Sequence, residues 1–295
     1  MNKIRWMEVF VAIVETGNFS EAAKRLDISS VMVGKMVAQM ETHLQASLLK
    51  RNTRRQTLTQ AGKAWYEESL HVLTALRSAE SRIASLRRFP AGSLRISAST
   101  TLGSCAIARL CSEFQLSFPD VVIEIDLSER FVDIIAEGFD FAFRIGDLPI
   151  DTPHVALRLG DYQMTIAGSP AYLAQYGEPR SLEELASHRC LRYSNWNKRN
   201  AWRSGDALIW PASATFSCND GQALRQSALS GTGLIFQPRL LLAEDIAAGR
   251  LKPLLADCLP APRPIHLIWP QDLHFSAKHR SFISWITEFG PPAMA

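Results

Sequence analysis

At 295 residues the chain exceeds one ordinary hydrophobic core and suits two or three domains. A hydrophobic content of 47% with 21% charged residues describes a folded globular protein and excludes a disordered or low-complexity one. The net charge of +3 hides an asymmetry: residues 1–90 hold 14 Lys plus Arg against 8 Asp plus Glu, and the remainder holds 18 against 21. A basic front joined to a slightly acidic remainder suits a nucleic-acid domain attached to a sensor or an enzyme. No apolar run approaches the ~20 residues of a membrane span, and Glu8 and Glu15 interrupt the start where a secretory segment would lie. The expected compartment is therefore the cytoplasm, with no membrane partner. Cys105, Cys111, Cys190, Cys218 and Cys258 show no metal-ligand spacing, so we expect reduced, mostly buried thiols and no metal or other cofactor.

Met7, Phe10, Val11 and Val14 form a helical stripe that Gly17 can cap. Phe19 to Leu44 then reads as two short helices around a tight turn. Ser20 opens the first as a cap and puts Ala22, Ala23 and Leu26 on one face. The turn is Asp27-Ile28-Ser29, with Ser29 or Ser30 placed to cap the second helix. In that helix Val33, Val37, Met40 and Leu44 make the inward stripe, leaving Ser30, Val31, Gly34, Lys35, Ala38 and Gln39 outside. A helix that presents small, polar and cationic residues can enter a major groove, although any small bundle also contains such helix pairs. Downstream, Leu48 to Thr59 places Lys50, Arg51, Thr53, Arg54 and Arg55 between two short apolar segments. This resembles a two-stranded wing aimed at a phosphate backbone, although a charge cluster can equally be a solvated face.

From Thr59 to Arg88 no proline occurs, and Gly62 alone interrupts a helical composition. Trp65, Ser69, Val72, Leu76, Ala79, Ile83 and Leu86 keep a seven-residue repeat, which predicts a seam for a partner helix; packing onto its own domain is the alternative. Phe89-Pro90-Ala91-Gly92 ends the helix. Beyond it, strands at Ser93–Ala98, Val121–Leu127 and Phe139–Phe143 alternate with helices at Gly103–Phe118 and Phe131–Glu137, which predicts a mainly parallel sheet. A second series begins near Tyr162, with helices at Pro170–Tyr176, Leu182–Ser187 and Gln222–Ser230. Its strands fall at Cys190–Tyr193, Ala214–Cys218 and Leu234–Phe236. A last strand, Ile265–Trp269, and a helix, Ala277–Phe289, complete two α/β lobes.

The run F-x-x-A-A-x-x-L, then S-S-V-M-V-G-K-M-V-x-x-M-E-x-x-L, then L-L-K-R-x-x-R-R-x-x-x-L-T-x-A-G closely resembles the amino-terminal domain of LysR-type transcriptional regulators. Weaker echoes occur in SPAYLAQYGEP, LEELASHRCL and NDGQALRQSALSGTGL. The resemblance implies an α/β protein with an N-terminal all-α winged helix-turn-helix (1–58) and a dimerising linker helix (59–89). It implies next a two-lobed, periplasmic-binding-protein-like effector domain (90–295). Lobe 1 would be about 90–161 and 266–295 and lobe 2 about 162–265, with crossovers near Leu159–Thr165 and Ile265–Trp269. Carried over by position, it implies DNA contacts from Ser30, Val31, Gly34 and Lys35, and a minor-groove or backbone contact from Arg54. Two residues depart from the family pattern: Gly34 stands where a serine is usual, and Gln45 where a glycine is usual.

Ligands of open α/β sheets bind beyond the carboxyl ends of strands. Ser99, Thr100 and Thr101 lie there, just after the first strand, and their hydroxyl and N–H groups favour an anion such as a carboxylate. Arg144 supplies a countercharge unless Asp140 or Asp147 takes it. Tyr193, Asn195, Trp196 and Asn219 face them from the other lobe, although Ser and Asn after a strand are also ordinary caps. No G-x-S-x-G, H-E-x-x-H, phosphate loop or G-x-G-x-x-G occurs, and the seven histidines form no paired motif, so no enzyme is expected. The reading is a sequence-specific DNA-binding regulator, dimeric or tetrameric, with a small-molecule effector and RNA polymerase as partners. The competing reading is a small-molecule-binding protein or enzyme whose basic front serves another purpose.

Overall fold

The computed structural model describes residues 2–51, 56–84, 89–130, 132–149, 153–196, 202–204, 207–208, 210–211, 216–271 and 275–294. The chain divides into two compact units, Met1–Arg88 with Val132–Phe139, and Phe89–Phe131 with Asp140–Ala295.

In the first unit, α1 (Lys3–Thr16) is capped by Asn2, whose side chain accepts from the Arg5 amide, and ends at Gly17 in the left-handed region with φ 77°. The next helix, α2 (Phe19–Arg25), is capped by Asn18 rather than by Ser20. Asn18 has the extended backbone a cap needs and its side chain accepts from the Glu21 amide at 2.8 Å, which leaves Ser20 inside the first turn. Ser29 caps α3 (Ser30–Leu44) by accepting from the Met32 amide. Val33, Val37 and Met40 are buried against Trp6, Val9, Phe10, Ile13, Ala22 and Ala23, each large side chain contributing roughly 1.5–3 kcal/mol. Gln45 closes α3 in the left-handed region with φ 52°, the conformation that makes glycine the low-strain residue there.

The expected wing is an antiparallel pair, β1 (Leu49–Arg51) and β2 (Gln56–Leu58). Glu41 fixes its start by accepting from the amides of Leu48 at 2.7 Å and Leu49 at 3.2 Å. Thr59 opens α4 (Gln60–Ala84) by accepting from the Gly62 amide at 2.9 Å. A Cβ on Gly62 would lie 2.0 Å from the Leu48 carbonyl oxygen, which accounts physically for the glycine of the L-T-x-A-G run. Leu70 and Leu73 of α4 pack with Val11 of α1.

In the second unit, β3 (Gly92–Ala98) leads into α5 (Thr100–Leu102), a π-turn at Gly103–Ile107 and α6 (Ala108–Ser117), so helical structure begins three residues before Gly103. Beyond β4 (Val121–Leu127) the structure corrects the sequence reading. The segment expected to be helical at Phe131–Glu137, grouped with the first unit from Val132, is a single turn over its described residues: the Asp133 carboxylate caps it by accepting from the Ile135 and Ala136 amides, and Gly138, in the left-handed region with φ 68°, ends it before a second turn forms. The strands β5 (Phe141–Ile145) and β6 (His154–Tyr162) come next. Gln163 alone separates β6 from β7 (Met164–Gly168), which begins a different sheet.

The chain continues with α7 (Pro170–Tyr176), a 3-10 turn at Glu183–Ser187, β8 (Leu191–Tyr193), β9 (Arg203–Ser204), β10 (Ala207–Leu208) and β11 (Phe216–Cys218). It finishes with α8 (Gly221–Leu229), β12 (Ile235–Pro238), α9 (Arg239–Ala247), β13 (Lys252–Leu254), β14 (Arg263–Pro270) and α10 (Ala277–Ala293). The main sheet has the order β4-β3-β5-β14-β6. Its β3 runs parallel to β4 and β5, whereas β14 is antiparallel to β5 and β6, so the sheet is mixed and not mainly parallel. The returning strand comes from the far end of the chain, which a reading of consecutive βαβ units does not anticipate. The second lobe holds β12-β7-β13, all antiparallel, and the parallel pair β11-β8.

Two polar clusters tie these lobes together internally. Asp245, fully buried, binds Arg225 and Arg250, joining α8 to α9. In the other lobe His279 Nε2 lies 2.8 Å from Asp140, while its Nδ1 accepts from the Ser276 amide at 3.1 Å. The Ser276 hydroxyl is 3.0 Å from the same Nδ1. This Ser-His-Asp string resembles a hydrolase triad in composition only. Ser276 and His279 are 2% and 1% exposed, and Nδ1 is already spent on a backbone donor, so the string anchors α10 to the sheet.

Candidate functional site

The outer face of α3 presents Ser30, Val31, Lys35, Ala38 and Gln39 to solvent. Val31 is 80% exposed, an apolar side chain that the fold does not use. Beside Met32, which is 43% exposed, it has the chemistry to meet a thymine methyl while Ser30 and Lys35 reach polar edges or phosphates. Gly34 is half-buried beneath α2, where an added Cβ would meet only Phe19 Cε2, at 3.9 Å. Arg51 ends β1 opposite Gln56. Thr53, Arg54 and Arg55 lie outside the described residues.

Within the second unit a cavity of about 280 Å³ opens where β3, β4 and β5 end. Ser99 and Thr101 line it beyond β3, Ser128, Glu129 and Arg130 beyond β4, and Arg144 on β5. Tyr162, Met164, Tyr193, Trp196 and Trp202 provide aromatic and apolar walls, with Gln237 and Arg263 adding polar groups. The seat expected at Thr100 is occupied by the protein itself: the Thr100 amide donates to Glu129 Oε1 at 3.0 Å. Arg144 donates to the Ser97 hydroxyl and to the Phe143 carbonyl. Asp140, one of its two candidate partners, accepts instead from His279 and the Arg95 amide.

Burial sets the protonation of the walls. It pushes the Tyr162 phenol well above its ordinary range and, together with the neighbouring Glu129 carboxylate, Tyr193 up to about 12. Both therefore stay protonated as hydrogen-bonding groups. Arg263 lies over the Trp202 ring at 3.9 Å, and burial lowers its pKa, partly opposed by Asp147. Among the described residues the lining includes no histidine, cysteine or lysine, the side chains most used for proton transfer or nucleophilic attack near neutral pH. Of the cysteines, Cys111 and Cys190 are buried, with thiols pushed up to about 12 by burial, while Cys105, Cys218 and Cys258 are only half-buried. The chemistry on offer is recognition: cations and hydroxyls for an anion, and rings for a flat apolar body.

Comparison with known proteins decides the class. The model of the family described as "Bacterial regulatory helix-turn-helix protein, lysR family" matches residues 4–63, and that of the "LysR substrate binding domain" matches residues 87–291. The chain belongs to the LysR family of transcriptional regulators. It is 32% identical over 285 residues to the HTH-type transcriptional regulator CrgA of Neisseria meningitidis serogroup C, spanning 96% of this chain and 95% of that one. It is 28% identical to the HTH-type transcriptional activator AaeR of Escherichia coli K12, spanning 98% and 94%. The solved structure of CrgA, 30% identical, superposes with a TM-score of 0.62 over 96% of this chain and 97% of that chain. The full-length Vibrio cholerae virulence activator AphB, 25% identical, gives 0.71 over 97% and 98%.

For a LysR-type regulator the expected effector residues divide into two groups. Ser99, Thr101, Arg144, Tyr193 and Trp196 line one cavity. Thr100 contributes its amide to Glu129, while Asn195 sits behind Tyr193, donating to its hydroxyl at 3.2 Å and to the Asn219 carbonyl at 3.3 Å. Sequence reading missed Glu129, Tyr162, Trp202, Gln237 and Arg263. Glu129 was accessible by the logic already applied to Ser99, since Ser128-Glu129-Arg130 comes directly after β4. Arg263 and Trp202 were not, because no local pattern brings them together.

Proposed function

We propose that this LysR-type regulator binds operator DNA as a homodimer, or as a tetramer built from dimers, under the control of a small anionic effector held in the second-unit cavity. In this reading α3 enters the major groove through Ser30, Val31 and Lys35, while Gly34 lies against Phe19 of α2. Arg51, Thr53, Arg54 and Arg55 of the wing contact the backbone or minor groove. The single observation that carries the DNA contact is Val31, 80% exposed beside Lys35 on a helix whose opposite face is fully packed. Effector binding shifts the protein between two assemblies by its differential affinity for them, and the DNA-bound assembly recruits RNA polymerase. The protein acts in the cytoplasm and catalyses no reaction. Membership of a family of transcriptional regulators supports the last point.

The test is selection of bound fragments from sheared source DNA, then affinity measurements on the recovered sites. Recovery of an interrupted inverted repeat is expected. Lys35→Ala and Arg54→Ala should each weaken binding by ~5–100-fold, and removing a phosphate contact at Arg54 should reduce the salt slope by about 1. Unchanged affinity in both variants removes the contact assignment.

A further inference from the structure

We propose that Glu129 is a built-in occupant of the effector site: in the ligand-free protein its carboxylate holds the Thr100 amide, and an anionic effector binds by displacing it. The inference rests on the reading of the cavity as the effector site. The Thr100 amide donates to Glu129 Oε1 at 3.0 Å, so the position best suited to an incoming anion is already filled by one. Two carboxylates cannot share that amide without like-charge repulsion. Glu129 also hydrogen-bonds the Tyr193 hydroxyl, but it is exposed, so water rehydrates its carboxylate when both bonds are given up.

Around this seat the cavity is short of acceptors. Gln237 is 2% exposed and lines the cavity, yet its Nε2 donor has no partner among the described residues. Among the described residues the buried hydroxyls of Ser99 and Ser128 are likewise without a hydrogen bond. A buried donor left unpaired is costly, and an acceptor-rich ligand removes that cost for several groups at once. Trp196 and Trp202 make a flat ring the matching body. The ligand class is therefore a ring-sized organic anion.

Benzoate and its neutral isostere benzamide serve as probes, titrated calorimetrically into the full-length wild-type protein and Glu129→Gln. The expected result is benzoate binding at least about tenfold tighter in Glu129→Gln, with benzamide nearly unchanged, because only the anion competes with the carboxylate. Glu129→Ala should reproduce this order, and the exposed position should leave thermal stability near that of the wild type. Equal benzoate affinity in wild type and variant overturns the displacement while leaving the cavity as a binding site. Weaker benzoate binding in the variant also overturns it, making Glu129 a direct ligand contact. Absence of binding by either probe to any of the three proteins removes the cavity reading itself, and the proposal with it.

Discussion

Gly62 and Gly34 are both helical glycines of the first unit, and the structure gives them opposite characters. At Gly62 an added Cβ would sit 2.0 Å from the Leu48 carbonyl oxygen, a backbone atom at the start of the wing that cannot turn aside. At Gly34 the same atom would make only an ordinary contact with Phe19, at 3.9 Å. Gly62→Ala should therefore destabilise the first unit by about 2 kcal/mol or more, as overpacking does, and displace β1. Gly34→Ala should stabilise it by up to about 1 kcal/mol through helix propensity. Urea denaturation of the two variants, monitored by helical circular dichroism, checks both signs, and destabilisation by Gly34→Ala would show that α2 and α3 approach more closely than described. Sequence reading registered both residues, one as an interruption and one as a departure from the family pattern. Neither the distance to Leu48 nor the space beside Phe19 is written in local spacing.

At the scale of elements, legibility tracked the range of the interactions involved. The stripe Val33, Val37, Met40 and the Asp27-Ile28-Ser29 turn are local, and α3 formed where they pointed. Ser20 lost the cap to Asn18 over a difference of two residues, and Gly138 closed after one turn a segment that hydrophobic pattern alone extended into a helix. The place of β14 between β5 and β6, and the meeting of Trp202 with Arg263, depend on contacts between distant parts of the chain. The same holds for the cluster that anchors α10. Burial raises the pKa of Asp140, but the bonds from His279 and the Arg95 amide and the charge of Lys278 outweigh it, so the net shift is downward. A carboxyl depressed in the folded state stabilises fully above its unfolded pKa of about 3.9, and that contribution is lost as pH falls through the folded value. Asp140→Asn should thus cost on the order of 2 kcal/mol at pH 7, with the difference from wild type shrinking at an acid pH below the ordinary carboxylate range. Urea midpoints at the two pH values provide the measurement; a constant difference would mean that the ionised form is not what anchors the helix.

For the molecule as a whole, the deciding question is what α4 does with its two faces. The seven-residue repeat from Trp65 to Leu86 predicts one continuous seam, but the structure divides it. Trp65 packs against the first unit's own core and Ser69 is buried, alongside the inward Leu70 and Leu73, so the opening turns take the self-packing alternative. From Val72 onward the repeat faces outward: Val72 is 41% exposed, Leu76 half-buried and Ala79 exposed, with the side chains of Ile83 and Leu86 outside the described residues. A helix anchored at one end whose described repeat residues Val72, Leu76 and Ala79 turn away from that anchor has the form of one half of a coiled coil. A second copy is the partner that also places two α3 helices on one duplex, at half-sites about 34 Å or a multiple apart. Val72→Glu, made on an exposed position, should leave the fold intact and convert the protein to monomers in sedimentation equilibrium. Operator affinity should then fall by at least about tenfold, because the second half-site no longer benefits from effective concentration, while binding to a single half-site stays the same. A Val72→Glu protein that remains dimeric and binds the full operator normally would place the dimer interface elsewhere and leave the outward stripe of α4 without that role.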